Sequence, residues 1–212
     1  MAQRISRAKR TVSDVRLDEP GDLGTVMHTL YLVFNEGYSG NVDLAAEAIR
    51  LTRQLSTMVD EPEVRGLLAL MLLHHARRPA RLGADDRLIP LADQNRELWH
   101  RPSIAEGVVI LQAALARDRL GPYQAQAAIA ALHADAPRID ATDWVQIVEW
   151  YDELLGFGDN PVVRLNRAVA VGEADGAPAE LYARAARDAP NLPEREHQTR
   201  QASRINTLLR DR

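Results

Sequence analysis

Two adjacent histidines, His74 and His75, followed closely by Arg77, Arg78 and Arg81, gather side chains that could bind a metal, a proton or an anion. Imidazole ligates metals and titrates near neutral pH, and the arginine fork grips carboxylates and phosphates. Neighbours on a helix point about 100° apart, so His74 and His75 cannot share one metal as helical i, i+4 ligands do. They are read as packing or surface residues. For the three arginines two readings stand. They contact a carboxylate or phosphate of a partner, or they cap the helix before them, whose C-terminal dipole favours cations by about 0.3–1 kcal/mol.

Other constellations are weaker. Glu36, Asp43 and Glu47 could form a carboxylate cluster, but Asp43 and Glu47 stand at i, i+4 on a face expected to be solvated. Asp85 and Asp86 lack the further carboxylates and the glycine of a calcium loop. Neither a glycine-rich phosphate loop nor a serine-centred nucleophile motif is present. The chain has no cysteine, which removes disulfides, thiol nucleophiles and thiolate metal sites. No catalytic residue, metal ligand or cofactor is therefore assigned, and the expectation is a protein that binds rather than catalyses. Trp99, Trp144, Trp150 and Tyr151 are expected in the core or lining a groove, with Trp99 grouped with the arginines as a possible partner contact.

The elements that must position these residues are helical. Val64, Leu67, Leu68, Met71 and Leu72 follow the i, i+3, i+4, i+7, i+8 rule of a helix with one wide buried face. Pro62 opens that helix and Pro79 closes it, and the stretch from Pro62 to Gly107 is expected to be the centre of the fold. A further helix starts near Ser103. Around this centre the sequence predicts helices over Leu23–Phe34, Val42–Met58, Ile104–Leu120, Tyr123–Ala134, Trp144–Gly156, Pro161–Val171 and Ala177–Ala189, with a terminal helix carrying Ile205, Leu208 and Leu209. The strongest strand signal is Arg87–Leu91. The expected fold is all-α, a tetratricopeptide-like array of antiparallel helix pairs in which alanine and glycine let neighbours approach closely.

At 212 residues the chain can bury a core without staples. No window approaches the roughly 20 apolar residues of a membrane span, and the reading is a soluble cytoplasmic protein. Its net charge is -4, yet Met1–Arg10 holds Arg4, Arg7, Lys9 and Arg10 with no acid, which leaves -8 on the remainder. Most of the chain would repel a polyanion.

LYLVFNEGY (Leu30–Tyr38), AIRLTRQL (Ala48–Leu55), LLALMLLHHARRPAR (Leu67–Arg81), DQNRELW ending at Trp99, GPYQAQAAIAALHA (Gly121–Ala134), DWVQIVEWYDEL (Asp143–Leu154) and NRAVAV (Asn166–Val171) together resemble one family. This is the group of bacterial extracytoplasmic-function RNA polymerase sigma factors that carry a C-terminal tetratricopeptide-like domain. The resemblance implies a regulatory, protein-interacting domain acting in transcription initiation. Its partners would be the upstream sigma domains or the polymerase core. It divides the chain into a remnant of the DNA-recognition helix (1–15), a linker (16–24) and the helical domain (25–212). Arg4, Arg7 and Lys9 would face promoter DNA in a full-length parent. The polymerase-binding domain and the first helix of the helix-turn-helix would precede Met1, and the C-terminal end is shorter than the family's by about one helix pair. The alternative is a stand-alone helical-repeat scaffold for a peptide or protein.

A helix-turn-helix lacking the helix that crosses the backbone cannot seat its recognition helix. This chain alone is therefore expected to bind duplex DNA no better than the non-specific range of about 10⁻⁴–10⁻⁶ M at physiological salt. Fluorescence anisotropy with labelled duplexes measures this, and sequence-specific nanomolar binding would refute it.

Overall fold

The computed structural model describes residues 21–37, 43–83 and 87–175. The expected elements at Met1–Val12 and Ala177–Ala189, the terminal helix, the linker up to Pro20 and the pair Asp85 and Asp86 lie outside them. The described residues form seven α-helices: α1 (Leu23–Gly37), α2 (Leu44–Met58), α3 (Pro62–Ala76), α4 (Arg101–Leu115), α5 (Pro122–Asp135), α6 (Trp144–Gly156) and α7 (Pro161–Asp175). The fold of the described residues is all-α, as expected. The strand signal at Arg87–Leu91 is realised only as an isolated antiparallel bridge between Leu82 and Leu88.

Local chemistry sets where the helices begin. Asp22 accepts hydrogen bonds from the Thr25 N–H at 2.7 Å and the Thr25 hydroxyl at 2.8 Å, satisfying a first-turn donor. That cap starts α1 two residues inside the stretch read as linker. Asp43 caps α2 through the Ala46 N–H at 3.1 Å, and Asp143 caps α6 through Gln146 at 2.9 Å. Pro62, Pro102 and Pro122 occupy first-turn positions in α3, α4 and α5, where the missing N–H costs nothing.

Helix α3 is the hub. Helices α1 and α2 pack on one side of it and α4 and α5 on the other, while α6 packs on α5 and α7 on α6. This stacking of each helix on its chain neighbours, with α3 also meeting α5, is a helical-repeat arrangement. The five apolar residues read from the sequence, Val64, Leu67, Leu68, Met71 and Leu72, all join Met27 and Phe34 of α1 and Ala45, Ala48 and Ile49 of α2. A second face went unread. Ala69, Leu70, Leu73 and Ala76 pack against Ile104 and Leu111 of α4 and the alanines Ala127, Ala128, Ala130 and Ala134 of α5. Helix α3 is thus buried all round, as expected of a helix apolar on every side. A third cluster joins α5 to α6 and α7 through Ala125, Ile129, Ile147, Leu154 and Ala170.

The close crossing of α3 and α5 depends on two glycines and one carboxylate. Glu63 of α3 accepts the Tyr123 N–H at 2.5 Å, the Gln124 N–H at 3.3 Å and the Gln124 side-chain amide at 3.1 Å, so it caps the first turn of α5. Burial pushes its carboxyl up, and these hydrogen bonds oppose the rise. A Cβ at Gly121 would land on that carboxylate, and one at Gly66 would come within 2.5 Å of Gln124 Cγ and 2.8 Å of its backbone nitrogen.

Overpacking of this kind costs about 1–3 kcal/mol. Gly66→Ala is expected to lower the urea midpoint accordingly. Gly156→Ala, where a Cβ meets nothing within 4 Å, is expected to be neutral or mildly stabilising. Equal midpoints for the two variants would contradict the close crossing.

Candidate functional site

A cleft of about 600 Å³ opens between α5, α6 and α7. Its floor is the C-terminal end of α3, with His74 and Arg77, and Tyr31 of α1. His133 of α5 and Trp144 and Tyr151 of α6 line it, as do the amides of Gln126, Asn160 and Asn166. Ile129, Val163 and other aliphatic side chains complete the wall. The cleft is thus an apolar and aromatic pocket with a few polar side chains, the usual composition of a ligand site of this size.

Each polar residue is placed by its helix. His74 and Arg77 are one turn apart at the end of α3, so their side chains meet: Arg77 Nη2 approaches His74 Nδ1 at 3.3 Å. Arginine only donates, so Nδ1 is the acceptor and His74 is the neutral tautomer with its proton on Nε2. His133 stands in the last turn of α5 and meets the Trp144 ring edge to face, centroids 5.2 Å apart. Its Nδ1 is buried and, among the described residues, has no hydrogen-bond partner. Tyr31 sets its ring edge to face on Tyr123 at 5.5 Å, which ties the floor to the core. Burial pushes the Tyr151 phenol up to about 12.

Arg96 sits behind the cleft in a turn of 3₁₀-helix (Arg96–Leu98) within the loop joining α3 to α4. It donates to the carbonyls of His133 and of Ala136, the latter at 2.8 Å, and so caps the C-terminal end of α5 with a cation. Its guanidinium lies 4.6 Å from the centroid of the Trp99 ring, because side chains at i and i+3 eclipse in a 3₁₀ turn. Its Nη2 is buried and, among the described residues, has no hydrogen-bond partner.

Four basic groups therefore crowd one end of the cleft, and they oppose one another. Burial, then Arg77 and Arg96, push His133 down to about 3. Burial, then Arg77, Arg81 and His133, hold His74 well below the usual imidazole range. Burial, then Arg77 and Arg101, also lower Arg96. Both histidines are neutral at pH 7 beside arginines that are charged.

The residues singled out in the sequence separate in space. Arg77 lines the cleft. Arg78 pairs with Asp43 at 3.0 Å, at the start of α2. Arg81 lies in the turn beyond, near enough to His74 to disfavour its charge. Trp99 is 2 % exposed and packs in the core under Arg96, so it presents no face to a partner. Trp144 and Tyr151 line the groove as expected, and Trp150 packs partly buried on the core. Glu47 pairs with Arg50 at 2.6 Å on the surface, while Asp43 is engaged as a cap and with Arg78. Arg4, Arg7 and Lys9 lie outside the described residues. Arg96 and His133 were not singled out: one sits in a loop and the other in an alanine run. The only sequence signal was the i, i+3 spacing of Arg96 and Trp99. Among the described residues no helix is long and apolar enough to cross a membrane.

Residues 22–115, which span α1 to α4, match a family of unknown function, DUF6596. An uncharacterized protein of Rhizobium meliloti (strain 1021) is 45% identical over 197 residues, covering 85% of this chain and 47% of that protein. The chain thus spans about half the length of that relative. No solved structure matches the chain. The family match takes in Tyr31, His74, Arg77 and Arg96 but ends before His133, Trp144 and Tyr151.

A histidine whose folded-state pKa is depressed leaves the native state short of a proton. Its stabilising effect is complete above the unfolded value near 6.5 and is lost as pH falls below it, by up to about 1.4 kcal/mol per pH unit per group. Urea unfolding between pH 6.5 and 4.5 is expected to show a steeper loss of stability in the wild-type chain than in His133→Gln. Parallel pH profiles would place His133 in contact with water.

Proposed function

We propose that this chain is a regulatory, protein-interacting domain of a bacterial sigma factor, contacting sigma domains or the polymerase core and so governing transcription initiation. The observation that carries the reading is the run of motifs from LYLVFNEGY to NRAVAV, which lie in chain order on α1, α2, α3, the loop after α3, α5, α6 and α7 of a helical-repeat array. Such arrays present concave surfaces to a peptide or helix. The body is acidic, at -8 beyond residue 10, and DNA-contacting sigma domains must be basic. Complementary charge then favours contact between them and weakens it with salt, because the Debye length falls from about 10 Å at 0.1 M to about 3 Å at 1 M. Promoter DNA is a partner only of the full-length protein, through Arg4, Arg7 and Lys9. No catalysis is part of this reading.

The longer Rhizobium relative offers the direct test. The whole protein, and the protein lacking the segment that aligns with this chain's helices, would be assayed for promoter-directed transcription with core polymerase across a salt series. The expected outcome is initiation by the whole protein, with a different and differently salt-dependent rate after deletion. Absence of initiation by the whole protein would remove the sigma-factor reading. Equal initiation at every salt concentration would make the domain a passenger or an independent scaffold.

A further inference from the structure

The cleft between α5, α6 and α7 carries polar side chains whose hydrogen-bonding capacity the fold does not use up, and they are uncharged. They are Gln126 of α5, Tyr151 of α6, Asn166 of α7 and Asn160 in the turn that opens α7. We propose that the cleft is a groove for an uncharged, extended segment of a partner polypeptide. The backbone amides of that segment pair with these four side chains, and an aromatic or aliphatic side chain of the segment lies against Trp144 and Val163.

Charge complementarity selects this ligand. Arg77 and Glu173 also line the cleft, but they are opposite in sign and each is already engaged within the protein. The groups left to a ligand are neutral, and each keeps a defined capacity. The Gln126 side-chain amide donates to the Pro122 carbonyl at 3.1 Å, which leaves the side-chain carbonyl as an acceptor. Asn160 Oδ1 accepts the Val162 N–H at 2.9 Å, which leaves its own N–H groups as donors. The Asn166 side chain is exposed, and among the described residues neither of its ends makes a hydrogen bond. Nor does the Tyr151 hydroxyl, which burial keeps protonated by pushing the phenol up to about 12.

A peptide unit offers one N–H and one C=O, and this set supplies partners for both. A carboxylate only accepts, so it would set negative charge against the Gln126 carbonyl. An ammonium only donates and would leave the Asn160 N–H groups unmatched. The four side chains come from three helices, so a chain lying in the cleft meets hydrogen-bonding groups from each. That spread suits repeated amides better than a compact molecule with one polar head. The volume of about 600 Å³ lies within the roughly 300–1,000 Å³ of sites that enclose a ligand. The choice of a peptide among amide-bearing ligands rests on the reading of this chain as a protein-interacting domain, since helical-repeat arrays present such surfaces to peptides.

The test uses the full chain, labelled with ¹⁵N and titrated with three probes: N-acetyl-phenylalaninamide, the tripeptide N-acetyl-Ala-Phe-Ala-amide, and N-acetyl-phenylalanine as its carboxylate. The readout is the indole N–H signals in ¹H–¹⁵N spectra, with Trp144 assigned from Trp144→Phe. A saturable shift of the Trp144 signal is expected with both amides, unchanged by added sodium chloride. The tripeptide is expected to bind at least tenfold more tightly than the single residue, and the carboxylate at least tenfold more weakly. Asn166→Leu and Tyr151→Phe are each expected to weaken the tripeptide about three- to tenfold, the loss of one neutral hydrogen bond, and Asn166→Gln to recover part of it. Asn166 is exposed, so its replacement leaves the fold intact. No saturable shift, affinity for the carboxylate equal to or above that for its amide, salt-dependent binding of the amides, no gain from the longer peptide, or unchanged affinity in both variants would each overturn the proposal. These titrations are independent of the transcription assay, so failure here leaves the sigma-factor reading standing and failure there leaves the peptide result readable.

Discussion

The crossing of α3 and α5 is the contact on which the remaining packing depends, and a buried carboxylate holds it. Glu63 gives α5 the first-turn acceptor that Gly121 cannot supply, while Gly66 and Gly121 remove the atoms that would keep the two helices apart. Carboxylate at a helix N-terminus is favoured by both the unsatisfied N–H groups and the dipole, and here that preference acts between helices far apart in sequence. Burial raises the carboxyl's affinity for protons, so its contribution is specificity of register more than raw stability. Once α5 is fixed on α3, its other side is presented to α6, and α7 follows α6. The cleft is then formed by where α5 stands.

Much of this arrangement was legible in the sequence, and the reasons it was or was not are specific. Prolines at Pro62, Pro102 and Pro122 and capping acids at Asp43 and Asp143 announce helix starts through chemistry confined to a few residues, so the element order follows directly. The extent of burial around α3 did not follow. A periodic stripe identifies one face, but Ala69, Leu70, Leu73 and Ala76 lie where a two-layer protein would show water. Only the presence of partners on both flanks, a property of the whole fold, makes α3 apolar all round. Glu63 was hidden for the same reason, because the donors that it satisfies lie some 60 residues away.

The cleft separates the residues of the basic run more thoroughly than their proximity in sequence suggests. Helical geometry sends Arg77 to the cleft and Arg78 to the cap of α2, and the chain's next turn takes Arg81 aside. In exchange, the fold recruits Arg96 from a loop and His133 from the end of another helix. Neither has a motif. Arg96 is oriented by two local facts: the eclipsing of 3₁₀ side chains that lays it over Trp99, and the carbonyls at the end of α5 that no later turn of the helix takes up. A cation there serves α5 as a cap and serves the cleft as a source of field.

The two kinds of charge in this protein act on different scales. Among the described residues, most arginines pair with acids near the surface, as Arg117 does with Asp60 at 3.0 Å, Arg119 with Glu61 at 2.7 Å and Arg167 with Asp152 at 2.5 Å. Such pairs contribute about 0–1 kcal/mol each and are screened by salt. They tie the turn before α3 to the turn before α5, and α6 to α7, without setting a strong local potential. The net negative charge of the body is then felt at long range, by a partner approaching through solvent. Arg96 differs because it is partly buried against Trp99 and the end of α5, where an effective dielectric nearer 20 than 80 strengthens every interaction about fourfold. A molecule that is acidic outside can thus hold a positive charge at the end of α5. The two fields coexist because screening removes the outer one within about a Debye length, while burial preserves the inner one.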